Sequence, residues 1–207
     1  MMRCKNTFSM FEQPDWFSLQ RAAFWVAAGG VVAHATEGVW GLACNPFNPD
    51  AVNRLLEIKN RRVGLGLILI GADEEMFADQ LALLSEESRE RIQASWPGAH
   101  TWIVPHSSYP KEVSGGRDSV AVRVPGHKQA RRLCTQVGHP VVSTSANISG
   151  RSPALTALMA RSIFGDRVDF YLPGQVGLEG SDLYAAGFAS QISDARSHRV
   201  VRRASGG

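Results

Sequence analysis

A run of four apolar residues, Leu67-Ile68-Leu69-Ile70, constrains the fold of this chain more than any other feature of its sequence. Gly66 and Gly71 bound the run, which is too short for a buried helix and is typical of a strand covered on both faces. Sheets with such strands carry helices on both sides. The run therefore predicts an α/β fold with an interior strand at this position.

Helix and strand signals alternate along the rest of the chain. Residues 15–28 are rich in Ala and large apolar side chains and stop at Gly29, whereas Asn48-Pro49-Asp50 begins a helix that runs to about Asn60. The other predicted helices are 73–84, 85–94, 127–137 and 155–164, and the other predicted strands are 31–33, 101–104, 119–124, 140–144 and 168–172. A Gly-rich connection follows over 173–187. Because no repeat or composition change marks a boundary, we expect one domain over residues 1–207.

Composition and cysteine spacing argue against several classes of protein. With 44% apolar and 20% charged residues, the 207-residue chain is typical of globular rather than disordered proteins. The uncharged stretch with the most apolar residues, 22–35, is shorter than the ~20 residues that span a bilayer, and the N-terminus lacks the apolar core of an export signal. Cys4, Cys44 and Cys134 lie far apart, which favours reduced thiols. We expect a cytoplasmic protein without membrane contact or a structural metal.

Lys59 lies on the apolar side of its predicted helix. Val52, Leu55 and Leu56 occupy positions i, i+3 and i+4, and Lys59 at i+7 continues the same stripe. Its ammonium either interacts with the helix C-terminal dipole while its stem covers the core, or faces a polar site. The pattern alone favours the first interpretation.

No standard nucleotide-binding loop is present in the sequence. Gly64 and Gly66 begin a dinucleotide fingerprint, but Leu69 stands at the third glycine position, and no Walker-type Gly-Lys-Ser/Thr occurs. A phosphate site in this chain would depend on fixed cations, because phosphoryl chemistry rests on positioning and charge neutralisation. The candidates are Lys59, Arg61 and Arg123.

Residues 140–150 (PVVSTSANISG) hold the densest group of polar side chains. Two β-branched residues lead directly into hydroxyl groups and an amide, so an interior strand ends in hydrogen-bonding groups. Ligands of α/β sheets bind beyond the carboxyl ends of strands, and alternation places Ser143, Ser145 and Asn147 on one side. The alternative is a turn in which these side chains satisfy their own backbone. The segment alone leaves both interpretations open.

Several segments resemble the YrdC-type threonylcarbamoyl-adenylate synthases in order and spacing. They are 35–44 (ATEGVWGLAC), 56–61 (LEIKNR), 96–98 (WPG) with Thr101, 121–125 (AVRVP) and 143–150 (STSANISG). The resemblance extends from about Gly29 to Arg203, and its most specific parts are the Ser-Thr-Ser-Ala-Asn block and the Lys-x-Arg helix end. It implies a twisted, open, mixed sheet flanked by helices, with a large basic concave cleft.

The resemblance also implies an activity. These nucleotidyltransferases join L-threonine, bicarbonate and ATP into threonylcarbamoyl-AMP with release of pyrophosphate, the first step toward the threonylcarbamoyl modification at adenosine 37 of certain tRNAs. ATP is a substrate, and Mg²⁺ accompanies its triphosphate. The implied roles are catalysis for Lys59 and Arg61, substrate binding for Thr36, Thr101, Arg123 and Ser143, and ATP binding for Lys59, Arg61, Ser145 and Asn147. No protein metal ligand is expected.

Some positions depart from the family pattern. Ala35, Arg62 and Ala99 stand where Pro is common, and Leu65 stands where Lys or Asn is frequent. Leu65 has the largest expected effect, because loss of a polar side chain near the phosphates would weaken ATP binding unless Arg62 replaces it. The segment 190–194 (SQISD) and Arg202 resemble the Ser-Thr-Ile-x-Asp pattern and the terminal Arg of the family.

Two other functions remain open on the sequence. A basic cleft also suits a non-catalytic module that binds tRNA, other double-stranded RNA or a ribosomal RNA precursor through phosphate contacts. A carbamoyl-transfer domain like that of hydrogenase maturation factors is the second, although those chains are longer and carry further domains. The macromolecular partners that follow are RNA and the downstream threonylcarbamoyl-transferase complex.

Overall fold

The structure, a computed structural model, describes residues 13–177, 188–203 and 205–206. Its α-helices are α1 (Gln13–Ala27), α2 (Pro49–Lys59), α3 (Ala78–Leu81), α4 (Glu86–Ser95), α5 (Lys111–Ser114), α6 (Lys128–Val137) and α7 (Ala157–Phe164). Its strands are β1 (Val32–Ala35), β2 (Trp40–Cys44), β3 (Ile68–Ile70), β4 (His100–Pro105), β5 (Ser119–Arg123), β6 (Val141–Ser145), β7 (Phe170–Tyr171), β8 (Phe188–Ala189), β9 (Gln191–Asp194), β10 (Val200–Arg202) and β11 (Ser205–Gly206).

A nine-stranded sheet in the order β10-β9-β4-β5-β3-β6-β2-β1-β7 forms the centre of the fold, and β11 pairs separately with β8. The sheet is mixed, since β3 runs parallel to β5 and antiparallel to β6. The predicted interior strand is thus hydrogen-bonded on both edges. The predicted fold class, an open mixed sheet flanked by helices, is confirmed.

Alternation along the central strands separates two apolar layers. Leu69 and Val142 belong to the larger core, together with residues of α2. Ile70 and Val141 belong to a second core, which α1 and α6 cover. Helices on both faces explain why Leu69 and Ile70 are apolar.

One face of the sheet is only partly covered, and this creates the functional cleft. Ile68 and Ser143 share a face with Ile70 and Val141 because strand residues two apart point the same way. They line cavities instead of the second core. On β5, Val120 and Val122 are buried, whereas Ala121 and Arg123 are partly exposed. The cleft therefore lies across the open face and includes residues at the carboxyl ends of strands, such as Arg123 and Ser145.

Helix α2 places Lys59 inside the protein. Its N-cap is Asn48, whose side chain accepts from the N–H groups of Asp50 and Ala51, and its C-cap Asn60 adopts the left-handed conformation at φ 51°. Both ends match the predicted helix. Lys59 is 1% exposed, so the prediction that it points inward is confirmed.

The predicted helix over 73–84 is wrong in its middle. Asp73 accepts from the N–H of Met76 as a cap would, but a 3₁₀ turn over Glu75–Phe77 follows, and α3 covers four residues. Phe77 leaves helical geometry at φ −119°, ψ 17°, and its side chain is fully buried. Burial of this ring accounts for the break.

The remaining differences from the predicted structure concern elements that were not predicted and residues outside the described ranges. Strand β2, helix α5 and strands β8 to β11 were not predicted. Cys44 and Cys134 are free and buried, whereas Cys4 and most of the predicted 173–187 connection lie outside the described residues. Within the described ranges, every helix is too short or too polar to cross a membrane. The expectation of one domain stays a prediction.

Candidate active site

Two adjoining cavities lie on the open face of the sheet. The larger has a volume of about 440 Å³ and the smaller about 150 Å³. They share a wall made of Arg61, Leu67, Ile68 and Arg202. The larger is mostly apolar and the smaller is lined by hydroxyl groups and arginines, so the two suit chemically different parts of a ligand.

Three arginines from separate elements meet at the smaller cavity: Arg61 after α2, Arg123 at the end of β5 and Arg202 on β10. Burial lowers the pKa of Arg61. Burial also lowers the pKa of Arg202, and the charges of Arg61 and Arg123 lower it further. Because the guanidinium groups repel one another, an anion bound between them would relieve this repulsion.

Hydrogen bonds to backbone carbonyls fix two of these arginines. Arg61 Nη2 donates to Gly66 O at 3.0 Å, and Arg202 Nη2 donates to Ser190 O at 2.9 Å. In the part of the chain that the structure describes, the buried Nε of Arg61 has no partner. The hydrogen-bonding capacity of this donor is therefore unsatisfied by the described residues.

Arg123 differs because it is paired with Glu37. Its Nη2 lies 2.6 Å from Glu37 Oε1, and its Nε donates to Gly98 O at 2.7 Å. Among the described residues, the buried Oε2 of Glu37 has no hydrogen-bond partner. Sequence reasoning gave Glu37 no role, and the structure makes it the carboxylate that orients Arg123.

Lys59 organises the loop after β6. Its Nζ donates to the carbonyl of Ser145, to the carbonyl of Asn147 at 2.9 Å and to Asn147 Oδ1 at 3.2 Å. These three acceptors match the three N–H groups of an ammonium. Burial, with a smaller contribution from Arg61, lowers the pKa of Lys59 to about 7.

Asn147 completes this loop rather than lining the smaller cavity. Its Oδ1 also accepts from Ser145 Oγ at 2.7 Å, and its Nδ2 donates to Ile148 O and Arg151 O. The turn interpretation of residues 140–150 therefore describes Asn147. Ser143 and Ser145, by contrast, line the cavity as the ligand interpretation predicts.

The two predicted threonines occupy different positions. Thr36 lines the smaller cavity, and its Oγ1 donates to Val39 O at 2.7 Å. Thr101 is fully buried, and its Oγ1 lies 2.9 Å from Ser190 Oγ. Ser190, which sequence reasoning did not assign, lines the cavity in front of it. A direct contact between Thr101 and substrate stays a prediction.

The structure thus brings most of the predicted residues together. Thr36, Arg61, Arg123, Ser143 and Ser145 line the smaller cavity, and Lys59 and Asn147 support its rim. Sequence reasoning gave no role to Arg202, Ser190 or Glu37, although the family-like pattern at 190–194 and Arg202 was the signal for the first two.

The departures from the family pattern lie in different places, and Leu65 is the one at the larger cavity. Leu65 is 60% exposed and lines that cavity, together with Arg117. Arg62 lines a different cavity next to α2 and does not reach the place of Leu65. Arg117, not Arg62, is the guanidinium beside Leu65. Ala35 is fully buried in β1.

A resident metal site would need several acidic, histidine or cysteine side chains together. Over residues 13–177, 188–203 and 205–206, no group of three or more such side chains is positioned to hold a metal ion. The donors that converge at the cavities are guanidinium and hydroxyl groups. Such groups suit anions and uncharged polar atoms.

Comparison with known proteins identifies the family. Residues 25–183 match the sequence model of the Sua5/YciO/YrdC family, whose description is telomere recombination. The chain belongs to this family. It is 51% identical over 189 residues, covering 90% of this chain and 95% of the relative, to a protein of Halorhodospira halophila named threonylcarbamoyl-AMP synthase.

Solved structures of P. abyssi Sua5 share the fold of this Sua5/YciO/YrdC protein. One, a doubly substituted form, has a TM-score of 0.82 at 29% identity and covers 92% of this chain and 57% of Sua5. Another, complexed with L-threonine, has a TM-score of 0.77 at 30% identity and covers 87% of this chain and 51% of Sua5. The chain thus spans little more than half the length of Sua5. The predicted family is confirmed.

Proposed function

We propose that this protein is a threonylcarbamoyl-AMP synthase, a nucleotidyltransferase that condenses L-threonine, bicarbonate and ATP. The observation that carries the proposal is the convergence of Arg61, Arg123 and Arg202 at the smaller cavity, two of which, Arg61 and Arg202, also line the larger cavity. The names of the relatives and the threonine bound to Sua5 point to the same reaction.

The size and polarity of the cavities support a division of substrates between them. The larger, at about 440 Å³, falls within the ~300–1,000 Å³ of small-molecule sites and suits the nucleoside of ATP. The smaller, at about 150 Å³ and lined by Thr36, Ser143 and Ser145, suits a small polar amino acid. The triphosphate then lies between the two cavities, next to Arg61 and Arg202.

The reaction needs cations rather than a protein nucleophile. The threonine amine adds to the carbon of bicarbonate, and loss of water gives a carbamate. An oxygen of the carbamate attacks the α-phosphorus of ATP, and the bond to pyrophosphate breaks. Two anions must approach each other, so fixed guanidinium groups lower the barrier. Mg²⁺ enters with ATP as part of the substrate.

Pyrophosphate release by the purified protein tests the proposal. We expect release to require ATP, L-threonine and bicarbonate together, and Arg61→Ala to lower it about 100-fold because one preorganised charge is lost. Arg62→Ala is the matched control: Arg62 is the next residue, is exposed and lines another cavity. It should retain wild-type turnover.

Two outcomes would overturn the proposal. Release that is indifferent to L-threonine would remove the synthase assignment. Salt-sensitive RNA binding without turnover would instead support the non-catalytic module, because phosphate contacts weaken steeply with salt.

We further propose that the product serves the threonylcarbamoyl modification of tRNA in the cytoplasm, with residues 1–207 acting as one domain. Direct binding of RNA, or of the downstream transferase complex, stays a prediction.

A further inference from the structure

A buried histidine lies directly behind the smaller cavity. His34, in the middle of β1, is 0% exposed. Its Nδ1 lies 3.0 Å from Ala35 O, and its Nε2 lies 3.1 Å from Ser143 Oγ. The proposed function does not use this side chain, although it touches a residue that lines the cavity.

The two contacts determine which nitrogen carries the proton. A carbonyl oxygen only accepts, so Nδ1 must donate to Ala35 O. Burial lowers the pKa of His34 to about 4, so the ring is neutral near pH 7. With the proton on Nδ1, Nε2 carries a lone pair and can only accept a hydrogen bond. The hydroxyl group of Ser143 therefore donates to His34 Nε2.

The surrounding backbone is shaped to allow this contact. Gly41 on β2 lies against both side chains: a Cβ there would lie 3.0 Å from His34 Nε2 and 3.2 Å from Ser143 Oγ. Both distances are shorter than an ordinary carbon contact. The absence of a side chain at position 41 leaves room for the His34–Ser143 hydrogen bond.

We propose that His34 is a positioning residue that holds the hydroxyl proton of Ser143 away from the smaller cavity, so that Ser143 Oγ accepts a hydrogen bond from the amine of the amino-acid substrate. A serine hydroxyl has one proton and two lone pairs. With the proton committed to His34, Oγ faces the cavity as an acceptor. It suits an N–H donor and not a carboxylate.

This inference rests on the proposed function for the identity of the substrate. It adds an orientation: the amine of the amino acid lies toward Ser143, and its carboxylate lies toward the arginines. That orientation brings the nitrogen that becomes the carbamate close to the sheet, with its anionic end in the positive part of the cleft.

Variants at both positions test the hydrogen bond through the affinity for L-threonine. His34→Phe keeps a planar ring but removes the acceptor, and His34→Gln supplies an amide oxygen in place of Nε2. We expect His34→Phe and Ser143→Ala each to raise the Kd and KM for L-threonine about tenfold, with the KM for ATP within about twofold of wild type. His34→Gln should restore most of the affinity.

A double variant distinguishes positioning from a packing defect. If His34 acts through Ser143, His34→Phe adds no further loss of threonine affinity in the Ser143→Ala background. Additive losses, or equal losses of ATP and threonine affinity, would overturn the inference. His139→Phe is the control, because His139 bonds to Pro140 O and lines a separate cavity.

Nitrogen NMR of the histidine-labelled wild-type protein needs no variant to fold. We expect the shifts of His34 to show a protonated Nδ1 and an unprotonated Nε2, and protonated Nε2 would overturn the inference. Threonine binding separates this proposal from the synthase assignment. If His34→Phe raises the Kd for L-threonine but the wild-type protein releases no pyrophosphate, the synthase assignment fails and this inference stands. If turnover depends on L-threonine but His34→Phe leaves the Kd for L-threonine unchanged, this inference fails and the synthase assignment stands.

Discussion

Arg123 Nη2 lies 2.6 Å from Glu37 Oε1, and the two side chains form an ion pair in which they are 12% and 3% exposed. The N–H of Gly126 donates to the same carboxylate oxygen. The pair fixes the guanidinium and offsets much of its charge. Arg123 therefore contributes an oriented donor to the cleft, and Arg61 and Arg202 contribute most of the positive charge.

Removal of one member of this pair should destabilise the fold. Arg123→Ala leaves the Glu37 carboxylate buried without its partner, which costs about 3–5 kcal/mol when a buried pair is broken. We expect a decrease of about 3 kcal/mol in the free energy of unfolding, measured in denaturant.

A double variant and a surface pair provide the controls for that measurement. The Glu37→Gln/Arg123→Met protein, which buries no unpaired charge, should recover most of the stability but not the turnover. Arg132→Ala breaks the more exposed pair with Asp15 and should cost at most about 1 kcal/mol. Equal decreases in the free energy of unfolding for Arg123→Ala and Arg132→Ala would contradict the claim that burial makes the Glu37–Arg123 pair more costly to break.

Lys59 should make stability depend on pH above neutrality. Burial lowers its pKa from 10.5 to about 7, so between these values the unfolded chain binds a proton that the folded chain does not. Stability then rises with pH across this window, and the cost of burying the ammonium is fully present below about pH 7. The free energy of unfolding of wild type should therefore increase relative to Lys59→Met from pH 7 to 10.

The control for this pH series is Lys111→Met, at an exposed position of α5. It should follow the wild-type pH profile. If the free energies of unfolding of wild type and Lys59→Met change in parallel with pH, the ammonium of Lys59 is not desolvated as its burial indicates.

His34 should make the protein sensitive to acid. Its pKa falls from 6.5 to about 4 on folding, mainly because of burial and in part because of the charge of His127, while Ala35 O and Glu37 act in the opposite direction. The unfolded chain binds more protons between these values. Stability is therefore complete above about pH 6.5 and is lost as pH falls toward 4. Thermal unfolding should show a steeper acid loss for wild type than for His34→Gln, and identical slopes would exclude this cause.

Replacement of Arg202 should weaken ATP binding and have little effect on the stability of the fold. Charged hydrogen bonds contribute about 1.5–3 kcal/mol, so Arg202→Ala should raise the KM for ATP about tenfold or more. Its removal also relieves repulsion with Arg61 and Arg123, so the free energy of unfolding should stay within about 0.5 kcal/mol. Steady-state kinetics test this, with the exposed Arg199→Ala as control. A larger effect of Arg199→Ala would contradict the assignment.

Much of the fold was predictable because its signals are local. The side chain of Asn48 caps α2 by accepting from the N–H groups of Asp50 and Ala51. In the 67–70 run, Leu69 and Ile70 are apolar because each faces a core. The helix predicted over 73–84 failed because burial of Phe77 against Gly71, a tertiary contact, outweighed local propensity.

The sequence by itself determined the alternation of strands and helices, the inward direction of Lys59 and the serines of the cleft, since each follows from spacing along one element. Only the tertiary structure decided that Glu37 pairs with Arg123, that Arg202 joins Arg61 and that His34 lies within hydrogen-bond distance of Ser143. These partners are 86, 141 and 109 residues apart. No local pattern records such pairs, because sheet pairing and the packing of separate elements bring them together.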